Sequence, residues 1–238
     1  MRRFLPVLSL VLSAALTPAC AIGSIGGGST DGSGDAGPSA VPTGSGSAND
    51  PNRLVSIAIT IDGYRQTKVV LPLGQTVAMG LTARSASGGS VPVNATAVRW
   101  EVSNNTLALQ TSSDGFKKLT ASTDWFDMPE PRSVEPTATV TAYYGTLTAT
   151  LNTTNVINAT GDWTATLDIG KKQELSLSQS ARIVIDSRTG YAGVIDGDAL
   201  TITFGGASLS AKFTSRVRAF GVYDGFGASG TFVCDRNM

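Results

Sequence analysis

From Val55 onward the chain alternates apolar and polar positions. Val55-Ser56-Ile57-Ala58-Ile59-Thr60-Ile61 and Val77-Ala78-Met79-Gly80-Leu81-Thr82-Ala83 hold a period of two and are rich in β-branched residues, the pattern of strands that bury one face. Residues 98–102, 107–109, 118–121, 138–143 and 147–151 continue it between Gly, Asn and Pro punctuation. About seven short strands in roughly 100 residues predict a Greek-key β-sandwich over 53–156. Eight further alternating runs follow at 163–169, 174–179, 181–185, 191–195, 199–204, 209–213, 218–223 and 229–234. Connections as short as Asp196-Gly197-Asp198 and Gly205-Gly206 predict an antiparallel meander over 157–238, folded as a small barrel or a sandwich. The fold class expected is therefore all-β. Strands this short would fill a barrel with their own side chains.

The alternation is absent before position 53. Met1-Arg2-Arg3 is a charged start, and Phe4 to Leu16 is an apolar stretch too short to span a bilayer, the layout of an export signal. The run ends in Leu16-Thr17-Pro18-Ala19-Cys20, which resembles the lipobox of bacterial lipoproteins, with a small residue before an obligatory Cys. The resemblance implies removal of 1–19, acylation of Cys20, and attachment to a membrane of the cell envelope, outer membrane or surface, through the N-terminal lipid. The alternative is an ordinary secretory signal cut near Ala19 or Ala21, which leaves a soluble exported protein. Residues 20–52 are dominated by Gly and Ser and contain no aromatic. Such a composition cannot bury enough apolar area to offset its ordering entropy, so a flexible tether is expected there.

Within 53–156, Ile57 and Ile59 on an opening strand, Leu73-Gly74-Gln75-Thr76 before the second core strand, Val98-Arg99-Trp100 followed by Ser103-Asn104-Asn105, and a late Val140-Thr141-Ala142 together resemble a group 2 bacterial immunoglobulin-like domain of the intimin and invasin type. The resemblance implies surface display and adhesion, and makes Trp100 the expected central core residue. Gly161-Asp162-Trp163 at the start of the meander is similar to the Gly-x-Trp opening of lipocalin-like and avidin-like barrels. That likeness implies an alternative function, carriage of a small apolar ligand inside the second domain.

Composition then removes several chemistries. The chain has no His, hence no Ser-His-Asp triad, no Cys-His dyad and no histidine-ligated metal. Lys+Arg and Asp+Glu are equal at 18 each, so no strongly basic chain is offered to nucleic acid. Asp196-Gly197-Asp198 and Asp224-Gly225-Phe226-Gly227 read as hairpin turns and lack the ligand spacing of an EF-hand loop. No metal, no cofactor and no enzymatic activity are expected. Of the two cysteines, Cys20 is assigned to the lipid and Cys234 to a strand, as a small half-buried hydrophobe. The pairs Lys117-Lys118, Lys171-Lys172 and Arg216 with Arg218 are expected on solvated strand faces. Asn94, Asn104, Asn152 and Asn158 open Asn-x-Ser/Thr triplets and read as polar loop or strand-edge residues.

The candidate binding residues lie in one segment. Ser122 to Pro136 carries three prolines, which forbid a central strand and predict a long surface loop. Asp124, Trp125, Phe126, Asp127, Met128 and Glu130 combine adjacent aromatics with carboxylates, a set suited to a protein or glycan partner. The other reading of the same residues is that Trp125 and Phe126 fold back to cover an open sandwich end or the neighbouring domain. The function expected is binding, adhesion or structural display at a bacterial envelope.

Overall fold

The computed structural model describes residues 50–112, 116–204, 206–225 and 227–238. The expected signal segment, most of the tether and Cys20 lie outside the described residues.

The first half is a sandwich. One sheet contains β1 (Leu54–Ile61), β2 (Tyr64–Arg65), β4 (Thr76–Ser85), β5 (Ser90–Val91), β7 (Leu107–Thr111) and β8 (Lys117–Ala121), in the order β2-β1-β4-β8-β7 with β5 paired to β4. The facing sheet contains β3 (Lys68–Pro72), β6 (Arg99–Val102), β9 (Thr137–Tyr144) and β10 (Leu147–Val156), in the order β3-β10-β9-β6. Inward positions of both sheets, among them Ile59, Val77 and Leu119 from one and Leu71, Val140 and Leu151 from the other, form the main apolar core, and Leu54, Ile57, Ala83 and Tyr144 form a second, smaller cluster. Named in chain order, the strands give the ABED and CFG arrangement of immunoglobulin-type sandwiches. The parallel pairing of β3 with β10 adds a strand to the CFG sheet, which strict alternation alone does not reveal.

Trp100 corrects an expectation. It lies on β6, the edge strand of its sheet, and is half-buried against the core margin. An edge strand has a neighbour on one side only, so its inward side chain meets the rim of the core. Among the described residues the fully buried large aromatics are Tyr144 and Trp163.

The second half is a closed eight-stranded barrel: β11 (Gly161–Leu167), β12 (Lys172–Ser180), β13 (Ile183–Asp186), β14 (Ala192–Asp196), β15 (Ala199–Phe204), β16 (Ala207–Ser215), β17 (Arg218–Gly225) and β18 (Ala228–Arg236). Every strand pairs antiparallel with the next in sequence, and β11 pairs with β18 to close the ring. The expected meander and its eight strands are both present, with small boundary shifts. Ala181 falls in a turn with φ +53°, and Ile169 lies exposed in the β11–β12 turn. Closure leaves no free edge for unwanted pairing.

The barrel is solid. Trp163 fills it near the first strand, its indole N–H donating to the Ala159 carbonyl at 2.8 Å and its ring edge-on to Phe213 at 5.8 Å. Phe232 crosses the interior over its strand partner Gly221, where any side chain would collide with the Phe232 ring and the Ser210 carbonyl. Cys234 is buried in the same core, and burial pushes its thiol up to about 12, with Asp235 and Glu174 adding to the shift. It is held as an unreactive thiol.

Gly221→Ala therefore overpacks the barrel and is expected to cost about 1–3 kcal/mol, read as a lower urea midpoint. An unchanged midpoint would mean that the Phe232 packing is not tight.

Candidate functional site

The loop between β8 and β9 forms the joint between sandwich and barrel. Within it Trp125–Asp127 makes one 3-10 turn. Asp124 caps that turn by accepting from the Phe126 amide at 2.9 Å, and Asp127 reaches back to accept from the Asp124 amide at 2.9 Å. This reciprocal capping box gives a proline-rich segment one rigid shape, which projects the two aromatic rings to one side. Trp125 and Phe126 are half-buried and pack against the barrel core. The Trp125 ring lies 3.2 Å from where a side chain on Gly197 would begin, and Gly197 has φ +57°, a conformation that favours glycine. Of the two readings of these aromatics, the structure matches the one in which they cover the neighbouring domain.

Charge fixes the same contact twice. Asp124 is fully buried and accepts a bidentate pair from Arg216 in the β16–β17 turn, at 3.1 Å from Nε and 3.0 Å from Nη2. The second nitrogen also reaches Asp127 at 2.6 Å. Arg216 is thus not on a solvated strand face as expected, and its pKa is raised by the Asp124 and Asp127 hydrogen bonds. On the other side of the loop Glu135 receives Arg182 in a forked pair, at 2.9 Å to Oε1 and by a second bond to Oε2, together with the Gly197 amide at 2.9 Å. The Glu135 hydrogen bonds raise the Arg182 pKa against the opposing effect of burial.

For Asp127, burial pushes the carboxyl up, but the Arg216 hydrogen bond, the Asp124 amide and the Arg216 charge outweigh it, leaving the pKa below its ordinary value. Met128 is half-buried at the end of the turn, its amide donating to the Trp125 carbonyl at 3.3 Å. Glu130 is exposed and paired with Arg132, whose guanidinium stands 5.6 Å from the Phe126 ring centroid. Of the six candidate residues, Asp124, Trp125 and Phe126 face the barrel and Glu130 faces solvent.

The connecting chain is equally fixed. Val156, Ile157 and Ala159 are fully buried. Asn158 donates to the Leu73 carbonyl of the sandwich at 2.9 Å, and Gln179 of the barrel bonds both the Ala159 amide and the Ile157 carbonyl. Arg182, Arg216, Glu135, Gln179 and Asn158 have no local sequence signal. Their roles arise from pairs up to 92 residues apart.

The rest of the molecule limits what chemistry the site can host. Both Asp124 oxygens are occupied by the guanidinium, so this carboxylate is a structural counter-charge. Among the described residues no group of three or more His, Cys, Asp or Glu is placed to hold a metal ion. The void inside the barrel is about 20 Å³, lined by Trp163, Leu177, Phe213 and Phe232 among others. That admits one water at most, whereas a ligand pocket needs several hundred cubic ångströms. The carrier alternative thus has no matching space, because the inward side chains and the loop that caps the barrel already fill it.

Removing Arg216 leaves a buried carboxylate without its cation. Arg216 is 43% exposed, so water screens part of the loss, and Arg216→Leu is expected to cost about 2–3 kcal/mol and to open the loop to proteolysis. Unchanged stability and an uncut loop would show that the pair does not hold the joint. A lowered native pKa means that the Asp127 contribution is complete above the unfolded carboxylate value of about 4 and is lost as pH falls through the native value. The acid-side fall in stability should therefore be smaller in Asp127→Asn than in the wild type, in melts between about pH 5 and pH 2.

No protein-family model matches the chain, and no curated protein matches it. Among solved structures the chain is similar to domains 5–6 of the S-layer protein SbsC, at 12% identity over 77% of this chain and 84% of that one, with a TM-score of 0.33. It is also similar to domains 4–9 of the surface layer protein SbsC, at 13% identity over 78% of this chain, with a TM-score of 0.30. The chain spans 27% of that longer fragment.

Proposed function

We propose that the protein is an exported, lipid-anchored component of a bacterial cell envelope that presents a rigid sandwich-barrel unit for binding or structural roles, without catalysis. The observation that carries this reading is the joint. A doubly ion-paired loop with one buried carboxylate, and a linker anchored by buried Val156, Ile157 and Ala159, join two β modules into one stiff body, which suits display and load-bearing better than a hinged catalytic cleft. The charged start, apolar run and Cys20, followed by a Gly/Ser-rich stretch, supply the address and the reach. Stable anchoring requires more than one acyl chain. The partner class is a protein or glycan of the envelope, met by an exposed sheet face, since the loop aromatics are engaged with the barrel.

Palmitate labelling and fractionation test the anchor. The wild type should be labelled and sediment with membranes, and Cys20→Ala should lose the label and appear in the soluble fraction. A wild-type protein that is unlabelled and fully soluble after lysis overturns the reading.

A further inference from the structure

The six strands of the larger sheet contain no Asp or Glu, yet they carry Arg65, Arg84, Lys117 and Lys118. Ile57, Ile59 and Ile61 of β1 point into the core, so Ser56, Ala58 and Thr60 face outward. The register sets Arg65 beside Thr60, Thr60 beside Gly80, Ala58 beside Thr82 and Ser56 beside Arg84. Ser56, Ala58, Thr60, Arg65, Thr82 and Arg84 line one shallow groove of about 330 Å³. Its floor is hydroxyl groups and small side chains, and an exposed guanidinium stands at each end.

Three observations point to a ligand. First, neither arginine has an ion pair or side-chain hydrogen bond among the described residues, although Arg99, Arg132, Arg182, Arg216 and Arg218 all do. Secondly, Thr60 lines the groove, and its hydroxyl, which sits against Gly80, has no hydrogen-bond partner among the described residues. Thirdly, the carboxylate nearest in sequence, Asp62 in the β1–β2 turn, accepts from the Ala78 amide at 3.4 Å and makes no ion pair with Arg65, which leaves that guanidinium open to an outside anion.

We infer that this face binds an anionic polysaccharide, with Arg65 and Arg84 as forked donors to its carboxylate or sulfate groups and the hydroxyl floor against its sugar hydroxyls. Guanidinium groups match such oxyanions two bonds at a time. By strand geometry the two arginine Cα atoms stand roughly 16 Å apart, a spacing for a repeating polymer and not for one small anion. The floor has no aromatic or long aliphatic group to enter a bilayer, and it offers no ring on which a nucleic-acid base could stack. The inference rests on the display reading for where the polymer would be met, and names its chemistry.

The test titrates the full-length protein in detergent with polygalacturonate, dextran sulfate, neutral dextran and phosphatidylglycerol vesicles. The expected result is binding of at least one anionic polymer that weakens as salt rises, no binding of neutral dextran, and a loss of about tenfold or more in the double variant Arg65→Gln with Arg84→Gln. Lys171→Gln with Lys172→Gln, which removes the same charge from the barrel, should bind as the wild type does. Both arginines are exposed and unpaired, so the melting temperature of the double variant should be unchanged. Binding of neither anionic polymer, equal binding of neutral dextran, equal losses in the two double variants, or binding to vesicles alone overturns the proposal. Cys20→Ala reads the anchor separately, because detergent titration does not depend on membrane attachment.

Discussion

Burying the Asp124 carboxylate strips it of water, a cost of several kcal/mol unless charge and hydrogen bonds are returned. The sandwich alone returns one backbone amide through the cap. The barrel returns the cation, since Arg216 comes from the β16–β17 turn. The loop thus reaches its satisfied state only when both β modules are folded and in register, and every other feature of the joint follows. With Asp124 seated, the 3-10 turn directs Trp125 onto Gly197 and places Glu135 before Arg182. A buried ion pair is weak evidence for stability but a strong orienting device. Here it selects one orientation from the many that two apolar surfaces would allow.

The barrel can play this part because it is filled. Small closed barrels have little interior, and this one is occupied by aromatic side chains placed over residues without them, as Phe232 is over Gly221. A packed barrel resists deformation, so the turns that carry Arg182, Gly197 and Arg216 keep their spacing and act as a fixed socket. The same packing that removes a ligand cavity gives the joint its precision. Ile157 and Ala159 extend this core into the linker, and the Trp163 indole ties the first barrel strand to it.

Much of this was legible in the sequence, for a physical reason. Period-two alternation reports a half-buried strand wherever both its neighbours are sequential, and the barrel, built only of sequential hairpins, was readable strand by strand. The sandwich was less so. β3 pairs in parallel with a strand some eighty residues later, and Trp100 has the residue type of a core position but an edge address. The Asn-x-Thr triplets also had a simpler meaning, since Asn94, Asn104 and Asn158 each accept from the amide two residues on, turn chemistry that competes with strand formation. For the loop, sequence supplied the right residues and both readings. It could not choose between them, because Arg216 and Arg182 become partners only through closure of the barrel.

Net charge conceals a segregation that the fold creates. Zero overall charge follows from equal counts of acids and bases, but Asp124, Asp127 and Glu135 are consumed at the joint by barrel arginines. The six-stranded sheet, whose own strands hold no acid, keeps its cations uncompensated. Salt is expected to matter differently at the two places. At the joint the charges are close, partly desolvated and poorly screened, whereas on the sheet Arg65 and Arg84 are exposed and separated by more than a Debye length at physiological ionic strength. The loop acids are thus spent on the barrel arginines that orient the two modules, while the sheet cations stand on strands that carry no acid of their own.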